Sequence, residues 1–215
     1  MLTDVLPLAL AIAASPFPII PVILLLFTPR ALTNASSFLS GWVTGIAAAV
    51  TAFVLLADVF EAGTETPTWA AWARIALGTA LVVLGVRQWV QRHASDELPG
   101  WMQTIETATP RSALRLGLLL SAANPKILLL AAAAGLAIGS EASTPVSTVG
   151  AVAAFTVVAS STVAIPVTSY AILHERILAP LRTTKDWLQT HNAAVMAVVV
   201  TVVGVALVVK GINGL

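Results

Sequence analysis

Six stretches of twenty or more mostly apolar residues occur in this chain, at 2–27, 38–60, 69–90, 113–138, 149–173 and 193–212. About 20 such residues carry a helix across the hydrocarbon core of a bilayer. The rest of the chain offers little for water to solvate: of 215 residues, 58% are hydrophobic and 10% are charged. A soluble domain carries charge on roughly a quarter of its residues. Lipid is therefore the expected solvent. The expected fold is an all-α integral membrane protein of six transmembrane helices, forming one domain over 1–215.

Several function classes drop out on composition. A formal net charge of +1 leaves no basic stripe to track phosphates, so nucleic acid is not an expected partner. The chain has no cysteine, which excludes disulfides, thiolate metal sites and cysteine nucleophiles. His93, His174 and His191 fall in polar stretches without ligand-like spacing, so neither a metal nor another cofactor is expected. Ala11-Ile12-Ala13 resembles a small-residue cleavage site. However, the start has no basic residue and the apolar run continues to Phe27, so these residues read as a retained first span.

Orientation follows from the basic residues. Arg30, Arg87, Arg92, Arg111, Arg115, Arg176, Arg182 and Lys185 fall on one side, which makes eight of the eleven. Asp58, Glu61, Glu65 and Glu141 fall on the other, with Arg74 and Lys210 near that interface. The basic side is expected to be cytoplasmic, which places both termini outside. Trp69 and Trp72 would mark the outer interface and Trp42, Trp89, Trp101 and Trp187 the inner one. Between spans three and four, residues 93–109 read as an interfacial segment, with Trp101, Met102, Ile105 and Ala108 at helical spacing.

Spans one and four share an interruption. Ser15-Pro16 is followed by Phe17, Pro18 and, further on, Pro21; Asn124-Pro125 is followed by Lys126. In each case a good N-cap residue precedes proline, the favoured first helical residue, about half-way along the span. Interior proline removes a helix hydrogen bond, and in lipid the freed carbonyls must find other partners. With three spans per half, the chain divides into inverted repeats of about 1–92 and 110–215. Broken helices at matching positions of two inverted halves point to a transporter binding site. The two new N-termini would meet near the midplane, each with the positive end of its dipole.

Lys126 is the one charged residue deep within a span, where insertion of a lysine costs about 2.5–3.5 kcal/mol. Beside two helix N-termini it would attract a phosphate or carboxylate. The candidate substrate-binding residues are thus Ser15, Pro16, Pro18, Pro21, Asn124, Pro125 and Lys126. Ser160, Ser161, Thr162 and Pro166 in span five would line a polar path, or bond back to their own helix and bend it. Arg30 satisfies the positive-inside rule and secondarily would attract an anionic headgroup. Gly41 and Gly45 read as helix packing. No Asp or Glu lies in mid-membrane, so the usual carboxylate relay for proton coupling is missing and Lys126 is the only deep titratable group.

These residues resemble the LysE superfamily of small exporters. Ser15 to Ile23, Thr28-Pro29-Arg30-Ala31, Asn34-Ala35 and Phe38 to Trp42 resemble its GAP, or Sap-like, branch, the peptidoglycolipid- and sulfolipid-addressing proteins of bacteria with lipid-rich envelopes. The resemblance covers essentially the whole chain and is most specific over 15–45. It implies a multi-pass protein of the bacterial cytoplasmic membrane that moves a glycolipid or lipid-linked anion outward, with membrane lipids as partners. It also implies that Ser15–Pro21 and Asn124, Pro125 and Lys126 are the positions that matter.

Other readings of the residues stand beside this one. One is an exporter of amino acids or other small amphiphiles, as in the wider superfamily. Another is a membrane scaffold of a lipid-export complex, although the chain has little soluble surface for partners. A homodimer is compatible with so short a transporter. An enzyme is not expected; it would need Ser15 or Ser121 to pair with Lys126.

Overall fold

Threonine–proline pairs start two helices of the second half. Thr109 and Thr144 each precede a proline at the first helical position, and each closes a capping box with the serine three residues on, Ser112 and Ser147. Proline suits that position because its fixed φ is already helical and its missing N–H is not needed there. The computed structural model describes residues 2–61, 68–90, 105, 107–141 and 144–214. Among them run α1 (Leu2–Ala13), α2 (Pro16–Leu26), α3 (Ala31–Glu61), α4 (Thr68–Val90), α5 (Pro110–Ala122), α6 (Pro125–Glu141), α7 (Pro145–Leu173) and α8 (Leu178–Ile212). A short 3-10 turn, His174–Ile177, joins α7 to α8, and no strand occurs among the described residues.

Three helical stretches are long and apolar enough to cross a membrane: Ala31–Ala57, Ala71–Val90 and Pro145–Trp187. The pairs α1–α2 and α5–α6 bend by 50° and 62° at their breaks, and each pair qualifies as one further span. That makes three to five candidate spans among the described residues. The sixth apolar run is the second half of the 35-residue α8, whose first half carries Arg182, Lys185 and Asp186. Its described apolar part, Ala197–Ile212, is shorter than the other spans.

Small residues hold α4 against α8. The two helices run antiparallel, with Gly78 opposite Gly204, Ala71 opposite Gly211 and Gly85 opposite Ala197. A Cβ on Gly78 would lie 2.7 Å from the carbonyl oxygen of Gly204, and one on Gly204 would lie 2.8 Å from that of Gly78. A Cβ on Gly211 would lie 2.8 Å from the oxygen of Ala71, and one on Gly85 would lie 3.0 Å from that of Ala197. Where lipid surrounds helices, association rests on such close backbone contact, because apolar side chains gain little by leaving the lipid tails.

The long α3 backs both halves of the second broken helix. Gly41 and Gly45 receive Leu114, Leu118 and Ser121 of α5, while Gly117 receives Phe38 and Trp42. Further along, Gly135 of α6 meets Val50 and Phe53, and Gly139 meets Ala57. The expected packing role of Gly41 and Gly45 is thus seen directly. Trp42 departs from expectation: it is wholly buried and stacked on Phe38, with ring centroids 6.4 Å apart, so it is a core residue and not an interfacial anchor. Trp72, Trp89 and Trp187 are exposed. The interfacial segment expected at 93–109 lies largely outside the described residues, as do the side chains of Asp58 and Trp69. Of that segment, Ile105 is buried in the core.

Polar contacts close the two ends of the bundle. At one end Asp4 of α1 pairs with Lys210 of α8, and Arg74 of α4 pairs with Glu141 of α6 at 3.6 Å. At the other end the Asn34 amide donates to the Thr28 hydroxyl and to the Ala108 carbonyl, both at 3.0 Å. There the Arg182 guanidinium also lies over the Phe27 ring, 5.3 Å from its centre.

Candidate functional site

The first break is built by missing donors. Pro16, Pro18 and Pro21 cannot supply the N–H groups that would otherwise reach back four residues along a continuous helix. The end of α1 tightens instead: the Ser15 N–H bonds to Ile12 at 3.0 Å, and Ser15 itself is extended, with φ −72° and ψ 119°. The carbonyl of Ala13 receives the Thr162 hydroxyl of α7 at 2.8 Å. A hydroxyl from a neighbouring helix thus meets a backbone oxygen exposed by the break, as an apolar surrounding demands.

The second break is capped conventionally. The Asn124 side-chain oxygen accepts the Lys126 N–H at 3.1 Å, and the Asn124 carbonyl accepts the N–H of Leu128 at 2.9 Å. Ser15 was expected to cap α2 in the same way, but its side chain makes no capping bond. The reason is a better partner: the Lys126 ammonium donates to the Ser15 hydroxyl oxygen at 2.7 Å. Bonds with one ionised member are shorter and stronger than neutral ones. Both side chains are buried, Ser15 completely and Lys126 to all but 6%.

Lys126 is the only charged side chain in the buried set of the described residues. The helix N-termini at the breaks add little to its positive charge. Pro16 and Pro18 deprive the first turn of α2 of two N–H donors, and Asn124 already occupies that of Lys126.

The structure brings Ser15, Asn124, Lys126 and Thr162 to the breaks. Pro16 starts α2, Pro125 starts α6, and Pro18 and Pro21 are buried within α2. Ser160 is buried, and its hydroxyl has no partner among the described residues. Ser161 bonds back to the Val158 carbonyl at 2.8 Å, as the local alternative foresaw. Pro166 is buried in α7, which runs through it unbroken. Arg30 stays exposed in the loop before α3, at the bundle end with Thr28 and Asn34. Sequence reasoning missed the α4–α8 contact, although Ala71, Gly78 and Gly85 recur at the same seven-residue spacing as Ala197, Gly204 and Gly211.

A cavity of about 810 Å³ lies between α3 and α7. It does not include Lys126. Its walls include Thr51 and Leu55 on one side and Thr148, Val152 and Thr156 on the other.

A bundle of apolar helices, with three to five candidate spans among the described residues and two broken helices joined through a buried lysine, marks an all-helical membrane protein. A family model described as "Sap, sulfolipid-1-addressing protein" matches residues 5–213, and the chain belongs to that family. Membership gives it a membrane-associated, lipid-related role. No curated protein and no solved structure matches it.

Proposed function

We propose that this protein is a carrier or flippase that moves an anionic glycolipid or lipid-linked precursor across the bacterial cytoplasmic membrane, with Lys126 receiving the anionic group. The family's description points to a sulfolipid as the type of cargo. The observation that carries the reading is the 2.7 Å bond from Lys126 to Ser15, which joins the two broken helices through a buried cation. An anionic head arriving there replaces the serine hydroxyl as a partner of the ammonium. Displacing Ser15 removes the bond it makes between the two breaks, and that couples binding to a change in the bundle.

In this reading the chain crosses the membrane six times, as two inverted repeats of the LysE superfamily plan, with both termini outside. The matching small-residue spacings of α4 and α8 support it, because equivalent helices of inverted halves would meet antiparallel. The separation of Asp4, Arg74, Glu141 and Lys210 at one end from Arg30 and Arg182 at the other supports it too.

The wall of the α3–α7 cavity favours a lipid over an amino acid, because Leu55, Val149 and Val157 line it and are exposed on the lateral surface. Pairing of Ser15 with Lys126 also fits a serine nucleophile activated by lysine. Acyl transfer, however, needs N–H donors to hold the oxyanion, and Pro16 and Pro18 withhold two beside Ser15.

The test is purified protein in vesicles, with translocation of a sulfated or phosphorylated glycolipid followed by accessibility of a headgroup label. Wild-type protein alone should move the lipid and Lys126→Met should not. Movement only in the presence of other proteins favours a scaffold, and equal activity in the mutant removes Lys126 from the mechanism.

A further inference from the structure

On the α7 side of the α3–α7 groove, three threonines have their hydroxyls engaged by their own helix or its cap. Thr148 donates to the carbonyl of Thr144 at 3.1 Å, and Thr156 donates to that of Val152 at 2.8 Å. The Thr144 hydroxyl is engaged with Ser147 in the helix cap. What these residues offer a ligand is methyl groups, next to Val152, Leu55 and the other apolar walls. A sugar or charged head seated there would lose its water for few new partners. An alkyl chain loses nothing.

Size and placement narrow the occupant further. About 810 Å³ falls within the roughly 300–1,000 Å³ of pockets that hold one compact ligand, too small for a whole glycolipid. Both walls belong to helices able to cross a membrane, and Thr51, Leu55, Val149 and Val157 are exposed along them, so the groove opens sideways. Along α7 the face that carries Thr148, Val152 and Thr156 continues at the next turn to Ser160. That residue is buried, with its hydroxyl unpartnered among the described residues. Two residues further, Thr162 holds Ala13 at the first break. From Thr156 to Thr162 the rise is about 9 Å.

We propose that this groove seats one acyl chain of a membrane lipid, with the chain running toward Thr144 and the attached head at the depth of Ser160, Ser15 and Lys126. The proposal rests on the carrier reading for its direction and deepens it by assigning the two parts of the cargo to two places. The groove takes the tail, and the breaks take the head.

The test reads binding apart from movement. Protein in phosphatidylcholine vesicles is given a trace of phosphatidylglycerol with a diazirine on its acyl chain, irradiated and mapped by mass spectrometry. Adducts should concentrate on residues 47–55 and 145–157, several-fold above those at Val83 and Val86 of α4 or Val202 and Val209 of α8. Ala153→Trp, which fills the groove, should lower them at least threefold, while Val198→Trp, on the exposed face of α8, should leave them in place. Even labelling over all lipid-facing helices overturns the seat, and the wild-type map alone decides this should the tryptophan variant not fold. Groove labelling without translocation overturns the carrier reading and leaves the seat standing. Translocation without groove labelling overturns the seat alone.

Discussion

Ser15 and Lys126, 111 residues apart in the chain, meet through a 2.7 Å hydrogen bond inside the bundle. Neither break alone would be stable with its polar groups facing hydrocarbon. The serine left over by one proline junction answers the cation placed by the other. Hydrogen bonds to charged groups contribute roughly 1.5–3 kcal/mol.

Ser15→Ala removes the hydroxyl that accepts from the Lys126 ammonium. The expected result is a lowered thermal midpoint together with altered lipid translocation. Loss of about 1.5–3 kcal/mol corresponds to a change of roughly ten- to a hundredfold or more in the equilibrium joining the breaks. Ser15→Thr should recover much of it, measured by thermal unfolding in detergent and by translocation in vesicles.

Thr162→Val keeps the shape of the side chain and deletes the hydroxyl that meets the Ala13 carbonyl. An unsatisfied buried acceptor costs about 1–3 kcal/mol, so the variant should unfold at lower temperature. Thr162→Ser should behave as wild type. Equal stability of the valine variant would show that the carbonyl has another partner.

Two glycines separate packing from propensity. Gly78→Ala drives a methyl into the backbone of Gly204, and overpacking of this kind costs about 1–3 kcal/mol. Gly150 in α7 has nothing within 4 Å of where its Cβ would stand, so Gly150→Ala should be neutral or gain up to about 1 kcal/mol of helix propensity. Comparing the two thermal midpoints checks the α4–α8 contact.

The absence of native cysteine makes topology directly measurable. Single cysteines at Arg30 and Glu141, both exposed, should react with an impermeant maleimide from opposite sides of the membrane, with Glu141→Cys labelled from outside. Reaction of both from the same side would refute the two-ended arrangement.

The breaks were legible because proline after a capping residue is a local signal, and Lys126 because a charge in an apolar run has few explanations. Membership of the Sap-like family was legible from residues 15–45 in the same way. Contacts between distant residues were not. Nothing local says that Ser15 gives up its capping role to a lysine of another helix, or that Thr162 faces Ala13 while Ser161 faces its own helix. Trp42 misled because tryptophan in a span usually sits at the water boundary, whereas here Gly117 brings α5 onto the backbone of Phe38 and Trp42 and the ring is buried. The extent of α8 was hidden because its polar first half reads as a loop until the helix is seen to continue.

The Thr162–Ala13 bond also limits how the bundle can rearrange. If α7 slid by even one turn along α1, it would strand a carbonyl in hydrocarbon, where an unmet polar group costs several kcal/mol. That contact is therefore a latch, and in the carrier reading α1 and α7 would travel together as one piece. The sliding surfaces of such a cycle would then lie elsewhere.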